Sequence, residues 1–148
     1  MMIRHFETED RDAVIALWAE VFPNEPAHNE PQAYIDRKLS VDDLFFVAIE
    51  DGTLVGTAIA GWDGVRGWLY KVAVAPHRQR QGIGKALVDH MLATLAARGC
   101  TKVNLQVRAS NRAVIAFYEE LGFHDDEVLG MGRHLSPDEH EVAPSGAI

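Results

Sequence analysis

Cysteine is almost missing from this chain: Cys100 is the single one among 148 residues. An internal disulfide is therefore excluded, and no Cys/His cluster has the spacing of a zinc site. Cations are also scarce, 14 Lys and Arg against 22 Asp and Glu, for a formal net charge of −8. Non-specific nucleic-acid binding rests on cationic surface, so it is not the main task of this chain. An acidic protein is compatible with a cationic partner such as an amine. Long apolar runs are missing too: nothing approaches the ~18 residues of a membrane span. The opening MMIRHFETED lacks the apolar centre of a signal peptide. Together these absences lead to the expectation of a cytoplasmic protein with no nucleic-acid, membrane or metal partner.

What is present suits a globular fold. Hydrophobic residues make up 47% and charged ones 24%, enough for one domain, expected over residues 1–135, with a core that needs no staples. MIRHF alternates like a strand, and Val14, Leu17, Trp18 and Val21 recur at helical spacing after Thr8, a suitable N-cap. Pro31 suits the first turn of a second helix ending near Leu39. LFFVAIE and TLVGTAIAG flank Asp51-Gly52, a strong hairpin signal. WLYKVAVA (68–75) is a strand stopped by Pro76, and a helix from Ile83 to about Arg98 presents Leu87, Val88, Met91, Leu92 and Leu95 on one face. A strand (102–107), a helix (110–123) and a last strand near 127–135 follow. The tail, 136–148, is polar and rich in breakers, which predicts disorder. The tally is mixed α/β around a central antiparallel meander.

Residues 79–87, QRQGIGKAL, put Gly82 and Gly84 between a strand and a helix. Such a loop offers backbone N–H groups and the positive end of a helix dipole to phosphate. A Walker A loop is excluded, because Gly84-Lys85 is followed by Ala86 and position 79 is Gln; a dinucleotide fingerprint is excluded because position 87 is Leu. Gln/Arg-x-x-Gly-x-Gly/Ala remains, and it resembles the coenzyme A pyrophosphate loop of the GNAT family of N-acetyltransferases. NRAVIAFYEELGF resembles the later motif of the same family through Asn111, Tyr118, Gly122 and Phe123. GWDGVRGWLYKVAV is further similar to a stretch of the YpeA-like branch, near the ribosomal-protein alanine acetyltransferases. The resemblance covers roughly residues 2–135 and implies the GNAT fold: a mixed, mostly antiparallel sheet flanked by about four helices.

Carried onto this chain, the resemblance implies acetyl-CoA as cosubstrate and coenzyme A as product. Val72, Ala73 and Val74 would pair with the pantetheine arm. Gln79, Arg80, Gln81, Gly82, Ile83, Gly84, Lys85 and Ala86 would hold the pyrophosphate, with Arg78 nearby. Asn111 would contact the coenzyme, and it equally suits a helix N-cap. The implied reaction is direct attack of a primary amine on the thioester, with Tyr118 delivering a proton to the departing thiolate. The acceptor would be a small amine, a protein N-terminus or a lysine, and the enzyme a monomer or homodimer.

A base is harder to find, since many family members use a carboxylate on the fourth strand where this chain has Tyr70 and Lys71. Lys71 would need burial to lower its pKa. Asp63, in the preceding loop, is the first candidate, and Glu50 and His77 are weaker ones. Cys100 as an acyl-carrying nucleophile is the rival mechanism, although no histidine pattern points to it. The rival function is a non-catalytic acyl-CoA sensor with the same fold. Trp18, Phe22, Tyr34 and Trp62 could line an acceptor pocket or simply fill the core.

Overall fold

A computed structural model describes residues 1–135. Its internal contacts divide the chain into two units, Met1–Pro23 with Pro31–Leu105, and Asn24–Glu30 with the residues from Gln106 onward.

The first unit is a five-stranded sheet in the order β1-β2-β3-β4-β5. The strands are β1 (Met2–His5), β2 (Phe45–Glu50), β3 (Thr53–Trp62), β4 (Gly67–Val74) and β5 (Val103–Asn104). The first four pair antiparallel, and β4 pairs β5 in parallel. Asp51 and Gly52 turn β2 into β3 with φ of 51° and 77°, as the hairpin signal requires. Helices α1 (Arg11–Val21) and α2 (Pro31–Leu39) lie in the first half of the unit, and α3 (Ile83–Ala97) follows β4.

Strand alternation sends side chains to two faces. Phe45, Val47, Ile59, Ala73 and Ala75 form one buried cluster with Val14, Leu17 and Trp18 of α1 and Ile35 of α2. On the other face α3 buries Ile83, Leu87, Val88, Met91 and Leu95. Its apolar stripe follows the expected spacing, with Leu92 half-buried at its edge.

Thr8 is not the cap of α1. A single 3-10 turn, Thr8–Asp10, precedes the helix and is capped by Glu7. The cause is Asp10, which accepts the Glu7 amide at 2.8 Å and two Arg4 hydrogen bonds at 2.7 and 3.0 Å. The Arg4 guanidinium holds the Asp10 carboxyl below its ordinary range. A depressed carboxylate contributes stability above its unfolded pKa of about 3.9 and loses it as pH falls through the lower folded value. Asp10→Asn is therefore expected to lower stability at pH 7 by about 2 kcal/mol. In acid melts the difference from wild type should shrink towards zero as the pH drops below that range.

The second unit holds α4 (Arg112–Glu120) and a 3-10 turn at Ala27–Asn29. Two expectations are corrected. The strand at 102–107 shortens to Val103–Asn104, and residues 127–135 form no strand. Val128, Leu129, Met131 and Leu135 are instead exposed. An apolar run becomes a strand only when a partner edge is in register, and among the described residues none pairs with this one. The expected tail, 136–148, lies outside the described residues.

Candidate active site

β4 organises the candidate residues of the first unit. Its pairing with β3 runs from Gly67 opposite Trp62 to Tyr70 opposite Ile59, then slips so that Ala73 faces Thr57. Lys71 and Val72 thus share the place of one residue, a β-bulge with Lys71 at φ 50°. The bulge is tied down from below. The Thr57 hydroxyl donates to the Lys71 carbonyl at 2.9 Å and accepts the Trp18 indole N–H at 2.9 Å.

On its other side β4 pairs with β5 only at Gly67 opposite Val103 and Trp68 opposite Asn104. Beyond Trp68 that edge has no sheet partner among the described residues, so main-chain groups along Val72, Ala73 and Val74 stand where an extended ligand could add hydrogen bonds. Ala73 itself is core, 2% exposed, which leaves its side chain to packing and only its backbone to a ligand.

The chain then passes a 3-10 turn, Pro76–Arg78, into the loop before α3. Gln79 donates from Nε2 to the Val74 carbonyl at 3.2 Å and folds the loop back on the strand end. Arg80 and Gly82 both adopt left-handed backbone, φ 64° and 84°. Gly82 is the N-cap of α3, with no side chain bonded there. The helical ladder starts with the Ala86 N–H on the Gly82 carbonyl at 3.0 Å, so the amides of Ile83, Gly84 and Lys85 precede it and have no intrahelical acceptor. A Cβ added at Gly82 would meet nothing within 4 Å, so the N-cap itself is open.

Three cations flank that space. Arg78 is ion-paired with Glu50, and Lys85 with Asp89 at 2.6 Å. Arg80 has no ion pair among the described residues and is exposed. A concave run of free amides at a helix start, with a cation beside it, fits a diphosphate.

In the second unit Asn111 caps α4, its Oδ1 accepting the Val114 amide at 3.3 Å. At the other end Gly122, φ 92°, lets the Phe123 N–H return to the Tyr118 carbonyl and the Gly122 N–H to Glu119, both at 3.0 Å. This is a Schellman closure, in which the residue after the glycine packs on the last helical turn. Phe123 does so: its ring meets Tyr118 edge-on at 5.5 Å, while Phe117 meets it at 4.9 Å. The spacing of Tyr118, Gly122 and Phe123 is thereby explained as a device that clamps one phenol. Burial pushes the Tyr118 hydroxyl well above its ordinary pKa.

Asp63 sits in the tip between β3 and β4. Its Oδ1 accepts the Val65 amide at 2.7 Å and the Arg66 amide at 2.8 Å, a turn-forming pattern. Those amides, Arg66 first, hold its pKa below the ordinary range. Its charge nevertheless reaches Tyr70, whose pKa is raised by burial and, secondarily, by Asp63. Glu50 is engaged by Arg78, and His77 is exposed on the 3-10 turn. Cys100 follows α3 and donates from Sγ to the Lys102 carbonyl at 3.3 Å, the behaviour of a packing residue.

Beside the bulge lies a cleft of about 220 Å³ lined by Tyr34, Arg37, Lys38, Ile59 and Tyr70. Lys71, 2% exposed, places its ammonium over Phe22, Tyr34 and Trp18 at 4.5, 5.2 and 5.3 Å from the ring centroids. The aromatics singled out from sequence thus gather around a lysine, except Trp62. Arg37 and Lys38, which line this cleft, were not singled out from sequence, because cations in a last helical turn are the ordinary complement of the dipole.

A family model for the Acetyltransferase (GNAT) family matches residues 11–123. The chain belongs to the GNAT family of acetyltransferases. It is 43% identical over 141 residues to an acetyltransferase of Sodalis glossinidius, a match covering 94% of this chain and 99% of that protein. The ribosomal-protein-S18-alanine N-acetyltransferase of Escherichia coli superposes with a TM-score of 0.70 and 32% identity, over 83% of this chain and 77% of that one. An N-acetyltransferase of Thermoplasma acidophilum, solved with coenzyme A, shares the fold at a TM-score of 0.71 and 22% identity, over 87% and 92%. This GNAT protein is an acetyl-CoA-dependent acetyltransferase. Among the described residues no helix is long and apolar enough to cross a membrane.

Proposed function

We propose that this GNAT enzyme acetylates a primary amine by direct attack on acetyl-CoA within a ternary complex. The observation that carries the reading is the open edge of β4 running into an α3 start whose first amides are free and whose cap is a left-handed glycine. Val72–Val74 would align the pantetheine arm. The amides of residues 81–86 would hold the pyrophosphate, with Gln79 shaping the loop and Arg80 adding charge. Asn111 would set the start of α4, from which Tyr118 donates its proton to the leaving sulfur.

A primary amine with a pKa near 10.4 must lose a proton first, at a cost of about 4 kcal/mol near neutral pH. Asp63, kept ionised by its loop amides and close enough for its charge to raise the Tyr70 pKa, would relay that proton through water. Its depressed pKa makes it a relay rather than a strong base. One relative is a ribosomal-protein-S18-alanine N-acetyltransferase, and a peptide bearing alanine is accordingly one acceptor to test. The family match across 11–123 supports one acetyltransferase domain.

Calorimetric titration with acetyl-CoA is the test. One-to-one saturable binding with a rise in Tm is expected. Absence of binding at any concentration up to millimolar would remove the reading.

A further inference from the structure

Thr57 is a polar residue of β3 with no exposed surface. Its hydroxyl is used twice, accepting the Trp18 indole N–H and donating to the Lys71 carbonyl, each at 2.9 Å. Valine has nearly the same shape, and a buried hydroxyl costs free energy unless it is bonded, so packing alone does not call for threonine here. The residue it holds, Lys71, is one of the two β4 residues in the bulge and sits at φ 50°. A left-handed side-chain-bearing residue persists only where its surroundings hold it, and such residues gather at functional sites.

The Lys71 carbonyl and the Val72 N–H belong to one peptide unit, planar and trans, so the two groups point opposite ways. With the carbonyl fixed on Thr57, the Val72 N–H is turned away from Thr57. Beyond Trp68 the edge of β4 that faces away from β3 has no sheet partner among the described residues. Resting on the reading of that edge as the rail for the coenzyme's arm, we propose that Thr57 is a positioning residue for the cosubstrate. Its hydroxyl, itself oriented by Trp18, fixes the Lys71–Val72 peptide so that the Val72 N–H donates to bound acetyl-CoA. Trp18 of α1 then acts on the cosubstrate through Thr57 and one peptide unit.

The test follows the Val72 amide by NMR and hydrogen exchange while acetyl-CoA is titrated into wild type, Thr57→Val and Thr57→Ser. In wild type the Val72 signal should move downfield at saturation and its exchange should slow. Thr57→Val should lose that response at saturation and bind acetyl-CoA roughly 3- to 10-fold more weakly, the worth of one hydrogen bond. Thr57→Ser keeps the hydroxyl and should recover most of the response and the affinity, which a role in packing alone would not produce. Thr57→Val leaves the Trp18 N–H buried without its acceptor; if that variant fails to fold, Thr57→Val combined with Trp18→Phe removes the donor as well, and the same losses are expected. A wild-type Val72 amide indifferent to bound acetyl-CoA overturns the inference. So does a Thr57→Val protein that keeps the response and the affinity, or a serine variant no better than the valine one. Failure of acetyl-CoA to bind wild type removes instead the reading on which the inference rests.

Discussion

Replacing Tyr118 by phenylalanine is expected to lower kcat by roughly 100-fold or more, the usual contribution of a positioned general acid, while acetyl-CoA binding and Tm stay close to wild type. The ring keeps its edge-on contacts with Phe117 and Phe123, so only the hydroxyl is removed. Burial raises the phenol's pKa, and burial raises the pKa of a departing thiolate in the same way, so the proton can pass between two groups that are both poor anions there. The raised value also keeps the acid loaded at high pH. In wild type the rate should climb as the acceptor amine loses its proton and then level off. No alkaline loss attributable to Tyr118 is expected below about pH 10. Steady-state kinetics from pH 6 to about 10 on both proteins reads both effects. A mutant as fast as wild type would assign Tyr118 to packing alone.

The second large effect is expected at Gly82. Valine there must adopt φ 84° or move the start of α3, and a left-handed non-glycine residue costs about 1–2 kcal/mol. Space is not the obstacle, since a Cβ would meet no atom within 4 Å. The larger consequence falls on the ligand: a residue that leaves the left-handed region at the N-cap carries the Ile83, Gly84 and Lys85 amides out of their present positions. Losing two hydrogen bonds to a charged diphosphate amounts to roughly 3–4 kcal/mol, or about 100- to 1000-fold in Kd for acetyl-CoA. Calorimetry on Gly82→Val reads the affinity, and a thermal melt separates it from the modest stability loss. Unchanged affinity would place the pyrophosphate elsewhere.

Much of this was legible because it is local. The α3 stripe from Leu87 to Leu95, the Asp51-Gly52 hairpin, the Pro31–Leu39 helix and the Asn111 cap each follow from periodicity or turn chemistry within a few residues. Illegible features depend on distant partners. Thr8 reads as a cap until Arg4 and Glu7 both engage Asp10. Residues 127–135 have strand composition, yet no edge pairs with them. Lys71 reads only as a departure from the family's strand carboxylate, a lysine that would need burial to lower its pKa. Its burial needs the bulge opposite Thr57–Ile59 and the rings of Trp18, Phe22 and Tyr34, brought in from α1 and its end and from α2. The cleft is of the same kind, with residues from α2, β3 and β4. Tyr118 was visible by its spacing to Gly122 and Phe123, and the helix closure supplies the physical reason for that spacing.

The most direct measurement is free thiol release from acetyl-CoA in the presence of pooled primary amines, comprising amino acids, amino-sugar phosphates, short peptides and polyamines, with Tyr118→Phe run alongside. Acceptor-dependent release in at least one pool, matched mole for mole by acetylated amine and lost in the mutant, is the expected result. Release no faster than background hydrolysis in every pool while acetyl-CoA binds, or release that Tyr118→Phe leaves unchanged, would contradict the account.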